Sequence, residues 1–224
     1  YYDAANRVTD SVAVGTNAGS SYTRPSTVPS RSDTVLVTSY AYNAAGWVET
    51  ITDAKAIVGK QYYDNLGRTI KTIENYVNGT PSDTDDKTTE FTYDGSGNTL
   101  TLKASLTSGY QETKWVYGTA TGTSDDIVSN DVMKSTQHPD ASTGAASSGQ
   151  AETRTANALG ETKTYTDRNG NVHTLTYDIL GRLTVDAVTT LGSGVDGAVR
   201  RIEIAYDGQG HAYLFTSYDA ATSP

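Results

Sequence analysis

The sequence predicts an all-β protein, an antiparallel ribbon of hairpins, on three observations. A short turn phrase recurs along the whole chain, the segments leading into it alternate apolar and polar side chains, and no stretch of a dozen residues carries a 3.6-residue apolar stripe.

The turn phrase reads Tyr63-Asp64-Asn65-Leu66-Gly67-Arg68-Thr69 and Tyr177-Asp178-Ile179-Leu180-Gly181-Arg182-Leu183. Variants are Tyr93-Asp94-Gly95-Ser96-Gly97-Asn98 and Tyr206-Asp207-Gly208-Gln209-Gly210-His211. Looser copies are Tyr2-Asp3-Ala4-Ala5-Asn6-Arg7-Val8, with Asn in the Gly place, and Tyr42-Asn43-Ala44-Ala45-Gly46-Trp47-Val48, with Asn in the Asp place. Ala156 to Gly160 and Thr166-Asp167-Arg168-Asn169-Gly170 lose the Tyr and keep the Gly, whereas Thr52-Asp53-Ala54-Lys55-Ala56 loses the Gly. An Asp or Asn after a strand-ending Tyr accepts hydrogen bonds from backbone N–H groups two residues on, and Gly three residues later supplies the positive φ that closes a hairpin. Asn6 fits that place because Asn tolerates the left-handed region, but Ala56 would cost roughly 1 kcal/mol there. A turn of another type is therefore expected at 53–56.

The intervening segments read as strands. Ile202, Ile204 and Tyr206 share a face, as do His173, Leu175 and Tyr177, and Phe91 with Tyr93. Thr, roughly one residue in six, suits the solvent side of a pleated sheet. A Tyr at the last strand position is read as covering the sheet with its hydroxyl in water. The stretches Ser82 to Lys87, Gly118 to Asp126 and Asp140 to Gln150 read as exposed hairpin tips or inserts.

A longer period lies over the short one. Turns beginning at 42, 52 and 63 recur at 156, 166 and 177, each 114 residues on, and Pro25 to Pro139 has the same spacing. Residues 1–224 are thus read as one continuous region of two tandem copies, roughly 2–116 and 117–224, cut from a longer chain. Each copy depends on its neighbour for burial.

Composition bounds the function. The 26 acidic and 17 basic side chains give a net charge of -9, and the absence of a Lys/Arg run argues against a nucleic-acid partner. No apolar stretch approaches the roughly 18 residues of a membrane span. There is no Cys, hence neither a disulfide framework nor a thiolate metal site. Leu, Ile, Val and Phe supply roughly 17% of the residues, so the core is expected to be lean.

The phrase Tyr-Asp-x-x-Gly-Arg followed by Leu, Val or Thr resembles the YD repeat of the Rhs and teneurin families. The resemblance spans nearly the whole chain and is sharpest at 63–69 and 177–183. It implies a spiral or shell-like β-sheet that, in bacterial relatives, encloses a toxic polypeptide. The residues it places in structural turns are Tyr2, Asp3, Asn6, Tyr42, Asn43, Gly46, Tyr63, Asp64, Gly67, Arg68, Tyr93, Asp94, Gly97, Gly160, Asp167, Gly170, Tyr177, Asp178, Gly181, Arg182, Tyr206, Asp207 and Gly210. The self-cleaving segment that ends the bacterial shell has no counterpart here, because the chain contains no Asp-Pro pair.

Catalytic chemistry finds little support. His138, His173 and His211 stand apart in sequence and form no metal-binding pair. Gly192 to Gly197 spells GxGxxG, but a strand-like segment follows it from Val199, so it reads as a flexible hairpin tip. Asp167 to Asn171 with Asp178 imitates a calcium loop, yet Val172 occupies the glycine position. No catalytic residue, cofactor or metal is assigned. The expected role is a non-catalytic structural segment of a large secreted protein, outside the cell or on its surface. Its expected partners are flanking repeats, neighbouring copies meeting through edge strands near 1–8 and 213–218, and an enclosed toxin cargo. The alternative is a tandem-repeat adhesin, filament or sheath module that binds carbohydrate or itself.

Overall fold

The computed structural model describes residues 1–15, 21–119 and 126–222. It is all-β: fifteen antiparallel strands whose order in the sheet is their order in the chain. They are β1 (Asp10–Val14), β2 (Val35–Tyr42), β3 (Val48–Thr52), β4 (Val58–Tyr63), β5 (Thr69–Glu74), β6 (Lys87–Tyr93), β7 (Thr99–Ser105), β8 (Tyr110–Tyr117), β9 (Met133–Pro139), β10 (Ala146–Ala156), β11 (Thr162–Thr166), β12 (Val172–Tyr177), β13 (Leu183–Thr190), β14 (Arg201–Tyr206) and β15 (Ala212–Tyr218). Strands β3, β4, β5 and β6 begin at 48, 58, 69 and 87, and β11, β12, β13 and β14 at 162, 172, 183 and 201, a constant offset of 114.

The hairpins have a local cause. In each turn, the N–H groups two and four residues after the Asp or Asn donate to its Oδ1, and the N–H three residues after donates to its carbonyl. Nine turns among the described residues share this pattern, beginning at Asp3, Asn43, Asp53, Asp64, Asp94, Asn157, Asp167, Asp178 and Asp207. The residue three places after the Asp or Asn has positive φ, the bulge that lets a three-residue loop match the twist of its strands. The strand register accordingly shifts beside the turn, as between Tyr62 and Tyr63 and between Thr176 and Tyr177.

Two expectations fail here. The turn at 53–56 is of the common type: Ala56 holds φ 64°, its N–H donates to the Asp53 carbonyl, and Lys55 and Ile57 donate to the Asp53 carboxylate. The four hydrogen bonds of the loop outweigh the strain on one Cβ. The stretch 140–150 is not all tip, because β10 starts at Ala146 and the register with β9 shifts between Ala146 and Ala151. Of the stretch 118–126, residues 120–125 lie outside the described residues.

The chain divides into two compact units. The first comprises Tyr1–Thr92 and Leu102–Gln111, the second Tyr93–Thr101 and Glu112–Pro224. Among the described residues, Val37 and Ile73 are the buried apolar side chains of the first, Ala156 and Ala187 those of the second. With so few, cohesion comes from backbone ladders and the ties between turns.

In the first unit, the connection between β5 and β6 closes on Asp86, which is 0% exposed. Its Oδ1 accepts the N–H groups of Val77 and Gly79, its Oδ2 that of Asn78, and its own N–H donates to the Asn75 carbonyl. The stretch 82–87 is therefore not simply an exposed tip, since a carboxylate buried at its end gathers three otherwise orphaned donors.

Candidate functional site: two rows of tied turns

Alternate hairpins end on the same side of the sheet, so their turns form rows. In the first unit the turns at Asp3, Asn43 and Asp64 follow one another. In the second unit those at Asn157, Asp178 and Asp207 do so. Within each row, successive turns are joined by the same device.

The joint has two parts. The Tyr before each Asp or Asn donates its hydroxyl to the carbonyl five residues after the Asp or Asn of the preceding turn. Tyr42 donates to Val8 at 2.7 Å, Tyr63 to Val48 at 2.7 Å, Tyr177 to Thr162 at 2.9 Å and Tyr206 to Leu183 at 2.8 Å. The expectation that these hydroxyls reach only water is thereby corrected: each finds a backbone acceptor from a hairpin that chain position alone does not bring near.

The second part is the side chain four residues after the Asp or Asn, which lies against the next turn. The Arg7 guanidinium sits 4.4 Å from the centre of the Tyr42 ring, and that of Arg182 sits 4.4 Å from the Tyr206 ring. The Trp47 and Tyr63 rings lie 5.4 Å apart. The same side chains occupy the space over the next glycine. A Cβ on Gly67 would come within 3.0 Å of the Trp47 ring, and one on Gly181 within 2.8 Å of Glu161 Oε1. At Gly67 glycine is required by a packed ring as well as by φ, whereas at Gly181 the neighbour is the end of a flexible side chain.

The fourth-place side chain also completes its own turn. Arg7, Arg68 and Arg182 each donate from Nε to the second oxygen of Asp3, Asp64 and Asp178, all at 2.7 Å. Asn98 and Asn171 do the same for Asp94 and Asp167 through Nδ2, and His211 Nδ1 lies 3.3 Å from Asp207. At Asn157 the polarity is reversed: its Nδ2 donates to Glu161 Oε2 at 2.7 Å. Wherever the first residue is Asp the fourth-place partner that touches it is a donor, and where it is Asn the partner is an acceptor. The turn at Asn43 has Trp47 in that place and spends it on stacking instead.

This geometry holds the turn carboxylates ionised. The Arg182 N–H and guanidinium lower the Asp178 carboxyl against the upward push of burial. For Asp64 burial pushes upward, and the Arg68 N–H and guanidinium and the Leu66 N–H outweigh it. The longer turn at 140–145 has the strongest case: the Ser142 hydroxyl, with the Thr143 and Ser142 N–H groups, lowers Asp140 to about 2.

No protein-family model and no curated protein matches the chain. Solved structures do. A structure of the Photorhabdus luminescens Tc holotoxin pore aligns with 12% identity and a TM-score of 0.41, covering 81% of this chain and 11% of that one. The crystal structure of TcdB2-TccC3-TEV aligns with 14% identity and a TM-score of 0.40, covering 96% of this chain and 13% of that one. That of TcdB2-TccC3 gives 13%, 0.26, 96% and 16%. The chain spans less than a fifth of the length of each.

The residues weighed for catalysis are placed apart. His138 Nε2 is 3.6 Å from Glu152, and His173 Nδ1 is 2.7 Å from Asp186, each pair lying across neighbouring strands of one hairpin. Asp167 and Asp178 close turns at opposite ends of β12 and do not converge. Gly192 packs against the turn at 167–171, its N–H donating to Asn171 Oδ1 at 2.8 Å, and a Cβ there would overlap the Asn169 carbonyl oxygen. That docking, and the nest around Asp86, are what sequence reasoning missed. The Asn-Gly pair at 169–170 marked the turn but not what would land on it.

Proposed function

We propose that the chain is a non-catalytic structural segment of a large secreted YD-repeat protein, part of a β wall that encloses or presents a toxin or other cargo. The observation that carries this reading is the tie between successive turns, in which a Tyr hydroxyl reaches the backbone of the preceding hairpin four times over. Such a tie does nothing for a reacting molecule. It stiffens a long sheet that has little core, which is what a wall requires. The turn carboxylates are consumed by N–H and guanidinium donors and so are withdrawn from acid–base chemistry. The cargo, the location outside the cell or on its surface, and the partnership with flanking repeats come from the resemblance of the phrase to YD repeats.

The test uses the longer polypeptide that this reading implies. Protease is expected to spare the enclosed segment in the intact protein and to cut it once Tyr63→Phe and Tyr177→Phe are combined. Equal cleavage with and without the substitutions refutes enclosure.

One observation favours a second reading, a carbohydrate-binding surface module. A cavity of about 390 Å³ beside β1 is lined by Tyr1, Tyr2, Tyr22, Arg24, Asp10 and Ser11. The Arg24 guanidinium stacks 4.4 Å from the Tyr1 ring centre, leaving exposed Tyr2 and Tyr22 faces for a sugar. Titration with a glycan panel checks it: binding lost in both Tyr2→Ala and Tyr22→Ala supports the module, and no binding by the unmodified chain dismisses it.

A further inference from the structure

We propose that a cavity on one face of the second unit, between β12, β13 and β14, binds a free apolar amino acid: Asp186 takes its ammonium group, Arg200 its carboxylate, and Val188, Val199 and Ile202 its side chain. These five residues and His173 line a cavity of about 290 Å³, near the lower end of the range for small-ligand sites. Strand pairing sets His173 opposite Val188 and Asp186 opposite Ile202, and the Val188 N–H donates to the Arg200 carbonyl. His173, Asp186, Val188, Arg200 and Ile202 therefore share one face of the sheet.

The first unit supplies an internal control. It carries the same strand positions 114 residues earlier, with Gly59 where His173 stands and Thr72 where Asp186 stands. The register is the same in both. Ile51 lies opposite Gly59 and Gln61 opposite Thr72, as Tyr165 lies opposite His173 and Leu175 opposite Asp186. The hairpins thus form without an imidazole or a carboxylate at these places, and the pair in the second unit is an addition to what the sheet needs.

The charges facing the cavity are unspent. His173 Nδ1 lies 2.7 Å from Asp186 Oδ1, and because a carboxylate only accepts, Nδ1 carries the proton and the ring holds the carboxylate in place. Asp186 Oδ2 takes no hydrogen bond among the described residues. Arg200 gives Nε and Nη2 to the Val188 carbonyl at 2.9 and 2.6 Å, a neutral acceptor, and no carboxylate among the described residues pairs with its charge. The cavity offers one anion and one cation, each oriented by a neighbour, between apolar walls. A zwitterion with an apolar side chain matches all three. A plain carboxylic acid would meet Asp186 and a plain amine would meet Arg200, each a like charge with no compensating partner.

The test is titration of the unmodified chain with L-leucine, followed by calorimetry and by the imidazole NMR signals of the three histidines. Leucine is expected to shift the His173 signal and leave those of His138 and His211 unmoved, with a dissociation constant of about 1 mM, the scale open to so small a ligand. Binding is expected to weaken by about tenfold or more for 4-methylpentanoate, which lacks the ammonium, for isopentylamine, which lacks the carboxylate, and for glycine, which lacks the side chain. His173→Gly combined with Asp186→Thr copies the first unit at these positions. That variant is expected to keep its melting temperature within about 4 °C and to lose leucine binding by about tenfold or more. No binding of leucine, equal binding of any of the three partial ligands, or binding retained in the double variant would overturn the proposal. A double variant that fails to fold would overturn it too, since the pair would then be structural. The wall reading rests on the ties between turns and is untouched by any of these results.

Discussion

Replacing glycine by alanine at three turns separates the two demands placed on that residue. At Gly160, φ is +83° and no atom lies within 4 Å of an added Cβ, so Gly160→Ala meets only backbone strain. That strain is about 1 kcal/mol, and the stiffer unfolded chain returns roughly 0.5 kcal/mol of it. At Gly67 the φ is similar, +80°, but the new methyl would stand 3.0 and 3.2 Å from two carbons of the Trp47 ring. The indole is packed against Tyr63 and cannot step aside, so overpacking of about 1–3 kcal/mol is added. Gly181→Ala falls between, because its neighbour is the end of the flexible Glu161 side chain. For a chain of this length the expected loss of melting temperature is about 1–2 °C for Gly160→Ala and about 3–14 °C for Gly67→Ala. Thermal unfolding followed by circular dichroism measures both. Trp47→Ala placed on the Gly67→Ala background should recover part of the loss, a coupling absent between Trp47→Ala and Gly160→Ala. Equal losses at all three glycines would refute the reasoning that one turn shapes the next.

Ala56→Gly relieves the one alanine at positive φ among the described residues and is expected to stabilise the chain by about 0.5 kcal/mol, read as a higher urea midpoint with unchanged slope. Asp86→Asn takes the charge from three backbone donors and should open the 75–86 connection, seen as faster amide exchange at Val77, Asn78 and Gly79. Stability should fall in acid: the carboxyls of Asp3, Asp64, Asp94, Asp167, Asp178 and Asp207 are all lowered, so their contribution is complete above the ordinary value of 3.8 and is lost as the pH drops through the lower folded values. Asp140, at about 2, is the last to go, and a melting temperature that holds level from pH 5 to pH 2 would contradict this. Chelator should leave the melting temperature unchanged, because the turn carboxylates are filled by N–H donors; a fall of several degrees would restore the calcium reading.

The antiparallel architecture was readable in advance because each hairpin is made by atoms within five residues of one another. Asp64 finds Leu66 and Arg68 wherever the chain goes, and alternation in segments such as 201–206 then lays out the strands. The same locality misled at Ala56, where a per-residue cost was weighed without the loop hydrogen bonds that outweigh it. It also misled at the tyrosines. Tyr42 reaches Val8, 34 residues back, and Tyr206 reaches Leu183, 23 back, distances at which spacing carries no information about contact.

The sequence by itself determined where the chain reverses, because an Asp or Asn side chain and a left-handed residue three places on satisfy a loop's donors without outside help. Only the tertiary structure decided what the turns do for one another. Stacking of alternate hairpins brings Arg7 onto Tyr42, Trp47 over Gly67 and Arg182 onto Tyr206, and folds Asp86 beneath three N–H groups. Those contacts depend on strand register and loop path, which are properties of the assembled sheet and not of any one turn.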